Sequence, residues 1–148
     1  MLAAWAAGLT ASPALAANVV NVTIHTPAQV EINPCFPGDV VNLNGDIHIV
    51  ITTTANGRDD YRVKHHMNTH LSGASITTGT KYVNNETKND QWSTGPSSPV
   101  VHNETYDFLL VSQGRTPNYV LHMTLHETID DGNVTEATAD RWSMNCRG

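Results

Sequence analysis

The chain has 148 residues, with eight Lys and Arg against fourteen Asp and Glu and a formal net charge of −6 with histidines neutral. That length suits one ordinary domain, and a charged fraction of 15% without runs excludes a disordered tail, a coiled coil or a surface-charged helical bundle. No concentrated Lys/Arg face exists to neutralise phosphates, which excludes nucleic acid as a partner.

Residues 1–17 read MLAAWAAGLTASPALAA, an apolar stretch ending in the small-x-small pattern Ala14-Leu15-Ala16. It is predicted to be a secretory signal over 1–16, cleaved before Ala17, although no Lys or Arg precedes the apolar run. The other reading is a retained apolar arm. Thr10, Ser12 and Pro13 interrupt a run already shorter than the roughly 20 apolar residues a bilayer span needs, so no transmembrane segment is expected. Export fits two cysteines, Cys35 and Cys146, which most simply pair with each other. Such a bridge restricts the unfolded chain by about 4–5 kcal/mol on the chain-entropy account.

Beyond the leader the sequence alternates with period two. Val20, Val22 and Ile24 share a face, as do Ile47, Ile49 and Ile51, then Tyr106, Phe108 and Leu110, then Leu121, Met123 and Leu125. Strands are predicted near 19–24, 28–33, 39–43, 46–54, 60–70, 80–85, 100–111, 118–128 and 133–144. Turn chemistry at Asn44-Gly45, Asn56-Gly57, Thr78-Gly79, Gly95-Pro96, Gly114 with Pro117, and Asp131-Gly132 separates them. The polar stretch 86–99 is expected to be a strand-free surface loop pinned by Trp92. The predicted fold is all-β: a single antiparallel sandwich of immunoglobulin-like type with one disulfide, or alternatively a small β-barrel. The organisation expected is a signal or apolar arm over 1–16, an N-terminal strand arm over 17–34 and a β domain over 35–148.

Asn33-Pro34-Cys35, Gly38-Asp39, Gly45, His48, Thr77-Thr78-Gly79 with Tyr82, Ser112-Gln113-Gly114, Asn118-Tyr119-Val120-Leu121-His122 and the closing Cys146-Arg147 carry a resemblance. On these positions the chain resembles a group of small secreted bacterial β-domain proteins without an assigned activity. The resemblance implies export, one domain and the disulfide, and it brings no catalytic residue. The chain departs from that pattern in its longer arm before the first cysteine.

Eight histidines invite a search for metal ligands. His66/His70 and His122/His126 have i,i+4 spacing, but on a strand this separates them by about 13 Å, too far to share one ion. A site would need cross-strand partners, such as His48 facing His122. The histidines are therefore expected to line the wet face of a sheet, and no metal ligand, catalytic residue or cofactor is assigned. Asp46, Asp107 and Glu127 lie in or beside strands without marking a two-carboxylate cleft. Asp130-Asp131-Gly132-Asn133 reads as a turn before it reads as a calcium loop. No GxSxG elbow, P-loop or GxGxxG occurs. Asn21, Asn85, Asn103 and Asn133 head Asn-x-Thr sequons, candidate glycosylation sites at no more than chance frequency.

The arm ahead of Cys35 leads to the functional expectation. Val20, Val22 and Ile24 are expected to anchor a strand donated to a neighbouring copy, making a non-enzymatic, secreted structural subunit that assembles into filaments with itself as partner. The alternative is a monomeric secreted module binding carbohydrate, on exposed Trp92, Trp142, Tyr61, Tyr82, Tyr106 or Tyr119, or binding metal.

Overall fold

The computed structural model describes residues 17–57 and 59–147, with side chains outside 26–32 and 140–142. Seven strands follow one another: β1 (Asn18–Ile32), β2 (Val40–Ala55), β3 (Tyr61–Ser75), β4 (Lys81–Ser93), β5 (Val100–Ser112), β6 (Asn118–Asp130) and β7 (Asn133–Arg147). Their order across the sheet is the order in the chain, and every pairing is antiparallel. The fold is thus all-β with one disulfide, as expected. The connectivity is an up-and-down meander bent into a nearly closed barrel, without the crossover of an immunoglobulin sandwich. Short turns join each strand to its sequence neighbour, leaving no long connection to carry a strand elsewhere.

Two strongly laddered layers result, β1–β4 and β5–β7. Val41, Leu43, Ile47, Ile49, Ile51, Val63, Met67 and Leu71 from the first layer meet Phe108, Leu110, Tyr119, Leu121, Met123 and Leu125 from the second. With seven strands, β1 and β7 run parallel at one seam. Cys35 and Cys146 close one end of that seam, with Cα atoms 4.9 Å apart. At the other end Asn18 donates to Asn133 at 2.8 Å.

Several expected boundaries move. The two short strands before Cys35 are one strand, β1, with a register shift between Thr26 and Gln29 where Pro27 interrupts the ladder. The Asn44-Gly45 turn is instead the middle of β2. Gly45 has φ +139°, and a Cβ there would collide with the His70 carbonyl of β3, so glycine serves close approach rather than reversal. Residues 86–93, expected as loop, continue β4 because Glu86, Lys88, Asp90 and Trp92 take its inward positions. A charged inward face hides the alternation that marks a strand.

A buried carboxyl pins the disulfide end. Asp39 is 1% exposed and accepts from Asn33 Nδ2 at 3.0 Å, Ser75 Oγ at 2.8 Å and the Thr77 amide at 3.2 Å. Burial by itself would raise its pKa, but the hydrogen bonds from Asn33, Ser75 and Thr77 outweigh this and bring it down to about 2. Because the folded pKa lies below the unfolded one, this contribution is complete above the unfolded value and disappears as pH falls toward 2. Asp39→Asn is expected to cost about 1–3 kcal/mol near neutral pH and to flatten the acid step, as urea titrations at neutral and acid pH would read.

Candidate functional site

The second seam, between β4 and β5, is paired only at Tyr82↔Ser112 and Val83↔Val111. Beyond these pairs, side chains replace the ladder. Asn84 Nδ2 donates to the Leu109 carbonyl at 3.0 Å, and the Leu109 amide donates to Glu86 Oε1 at 3.3 Å. Lys88 pairs with Glu86 Oε2 at 3.3 Å and lies 5.7 Å from the Phe108 ring centre. Further along, the interior changes from apolar to ionisable.

His65 of β3, 2% exposed, stands at the centre of this polar interior. Its Nε2 meets Glu127 Oε2 at 3.0 Å, and its Nδ1 meets the Tyr106 hydroxyl at 2.8 Å. Glu127, on β6 and 1% exposed, takes two further donors on Oε1: Trp92 Nε1 at 3.0 Å and His102 Nδ1 at 3.1 Å. The His102 ring stacks on Trp92 with centroids 4.1 Å apart. With Glu127 holding Nε2–H, the His65 lone pair is at Nδ1, directed toward β4 and β5. There Asp90 Oδ2 and Glu104 Oε2 each lie 3.9 Å from Nδ1.

The two carboxyls act on each other: burial first and then Asp90 beside it raise the Glu104 pKa, while Glu104 lowers that of Asp90. Tyr106 is pushed well above its ordinary value, first by burial and then by Glu104, so its hydroxyl remains a donor, reaching Glu104 Oε2 at 3.1 Å. Three strands thus bring one imidazole nitrogen and two carboxyl oxygens within 4.8 Å of one another. Asp90 Oδ2 and Glu104 Oε2 each lie 3.9 Å from His65 Nδ1, a spacing compatible with one shared ion, since zinc bonds imidazole and carboxylate at about 2.0–2.2 Å. His65, Asp90 and Glu104 could therefore hold a divalent ion, with Glu127 orienting the imidazole through Nε2.

Asp90 and Glu104 are not singled out by the sequence, and His65, one of the eight histidines expected on the wet face of a sheet, is buried instead. Other histidines do face outward. His25 meets Asp46 at 2.6 Å, His66 meets Asn89 at 2.7 Å, His122 meets Asp107 at 2.5 Å, and His126 meets Asn103, each across neighbouring strands. His48 pairs in register with Asn68 and Thr23, not with His122. Asp46 and Asp107 are consequently surface partners of histidines, and among the three carboxylates singled out only Glu127 enters the site. Asp131 and Gly132 form a tight turn with φ 47° and 74°, and Asp131 accepts from Tyr61 Oη at 2.7 Å. Asn21, Asn85, Asn103 and Asn133 all face solvent.

The supposed donor strand is seated at home. Val20, Val22 and Ile24 pair with Ile51, Ile49 and Ile47 of β2, and Val22 and Ile24 pack against the core. Within this chain the apolar face of the arm lies on β2 of its own sheet. Most of the aromatic candidates are covered as well. Tyr82, Tyr106 and Tyr119 are buried, Trp92 is covered by His102, Tyr61 lies against Gly132, and the Trp142 side chain is outside the described residues.

A groove of about 510 Å³ crosses the face of β2–β4, bordered by Thr52, Lys64, His66, Asn89 and Gln91, with His65 and Asp90 also in its lining. Among the described residues no helix is long and apolar enough to cross a membrane. The fold and this interior define the chain as an up-and-down, disulfide-linked β domain with a polar cluster at an incompletely laddered seam. No family model matches the chain, and neither a curated protein nor a solved structure matches it.

Proposed function

We propose that this chain is a secreted, monomeric β module that binds one divalent transition-metal ion between His65, Asp90 and Glu104 and has no catalytic activity. The observation carrying the reading is the convergence of His65 Nδ1 with Asp90 Oδ2 and Glu104 Oε2, each 3.9 Å from that nitrogen. A core designed for stability alone would place apolar residues here, since buried ionisable groups offset much of their attraction by lost hydration. The Glu127–His65 contact supports it further, because a carboxylate on the outer nitrogen is the usual way a ligating histidine is oriented. One imidazole with two carboxylates suits zinc or a similar ion better than calcium or magnesium, which require six or more oxygen ligands or several waters. Export is supported by the leader and by a cystine that an oxidising compartment maintains.

Isothermal calorimetry of the oxidised, chelator-treated protein with zinc chloride tests the reading. One ion per chain is expected, with affinity falling at least about tenfold in Asp90→Asn and Glu104→Gln. His25→Ala and His122→Ala should bind as the parent does. Absence of binding, or equal binding by the Asp90 and Glu104 variants, overturns it.

A further inference from the structure

The two layers meet along two seams of unlike construction. The β1/β7 seam is covalently closed by Cys35–Cys146. The β4/β5 seam has two ladder pairs at one end and the turn over 94–99 at the other. Between them the strands face each other through Asn84, Glu86 and Lys88 rather than through main-chain bonds. The candidate ligands straddle this gap: His65 and Asp90 belong to β3 and β4, whereas Glu104 belongs to β5.

Resting on the metal reading above, we propose that the bound ion is the clasp of the β4/β5 seam: its presence joins the two layers where strand pairing stops, and its loss releases the facing edges of β4 and β5. An ion bonded to Asp90 of β4 and Glu104 of β5 joins the two strands through two metal–oxygen bonds and adds His65 to the same centre. Separating β5 from β4 then requires breaking a coordination bond. Without the ion, that stretch depends on the side-chain contacts of Asn84, Glu86 and Lys88, and it belongs to the part of the fold that opens most readily. The ion would therefore regulate how far two strand edges are exposed, and exposed edges are the surfaces on which β structures recruit further strands.

The edge reports on itself. The Leu109 amide faces β4, so by antiparallel alternation those of Asp107, Thr105 and Asn103 face the same seam. Amide hydrogen exchange is measured by NMR on the full, oxidised chain with and without saturating zinc, beside calorimetry on the same samples. Exchange at Asn103, Thr105, Asp107 and Leu109 is expected to slow by about tenfold or more, with Ile49 and Met67 in the first layer changing far less. Glu104→Gln, which leaves only ligands of the first layer, should lose that slowing. If zinc binds while the four seam amides are unchanged, or if all amides slow together as simple mass action on global unfolding would produce, the clasp is overturned and the metal reading stands. If zinc does not bind, both fall.

Discussion

Glu127→Ala is expected to lower the stability of the domain by about 3–5 kcal/mol, seen as a fall in the urea midpoint with little change in slope. The side chain is fully enclosed and collects His65 Nε2, His102 Nδ1 and Trp92 Nε1 within 3.1 Å. Truncation leaves three buried or half-buried N–H donors without an acceptor and adds a cavity between the layers, and both effects have the same sign. Glu127→Gln retains the volume but places an NH₂ group against at least one N–H donor, so it should recover only part of the loss. The alanine variant should also bind zinc about 10–100-fold more weakly, because His65 loses the group that fixes its proton on Nε2. A Glu127→Ala protein as stable as the parent would mean that the interior network contributes nothing to the fold.

Removing the cystine is the other large perturbation. Cys35→Ser with Cys146→Ser is expected to cost about 4–5 kcal/mol by the chain-entropy account, because the bridge closes 111 residues of separation. Structure adds a local reason. Cys35 follows the end of β1 and Cys146 lies near the end of β7, so the bridge fastens two parallel neighbours between which no ladder pair forms among the described residues. Thermal unfolding of the double variant beside the oxidised parent measures the loss. Equal midpoints would show that the β1/β7 seam is held by packing alone.

Much of this architecture is legible from alternation. Ile47, Ile49 and Ile51, or Leu121, Met123 and Leu125, identify β2 and β6 because each apolar residue alternates with a polar one. The same parity carried two residues further places Glu127 inside after Leu125. Extended the other way from Tyr106 it places Glu104 and His102 inside, and His65 falls between inward Val63 and Met67. Strand parity marks these inward positions, whereas residue type alone assigns histidine and glutamate to a wet face. β4 was less accessible: its inward Glu86, Lys88 and Asp90 resemble a solvated loop until β5 supplies their partners. Convergence of His65, Asp90 and Glu104 depends on the register of β3 on β4, which pairs His65 with Asp90, and on the separation of β4 from β5. Neither quantity is local. Asn44-Gly45 shows the converse, a turn signature used within a strand because a neighbouring carbonyl approaches where a Cβ would stand. The arm shows it as well, since the apolar face of Val20, Val22 and Ile24 is satisfied by β2, a strand that follows it in the same chain.

The most direct test of the metal reading is crystallographic: crystals of the oxidised protein grown with zinc, with data collected on either side of the zinc absorption edge. One anomalous peak is predicted within about 2.2 Å of His65 Nδ1 and of an oxygen from each of Asp90 and Glu104. A peak confined to outward pairs such as His25 with Asp46 or His122 with Asp107, or no peak between β3, β4 and β5, would contradict it.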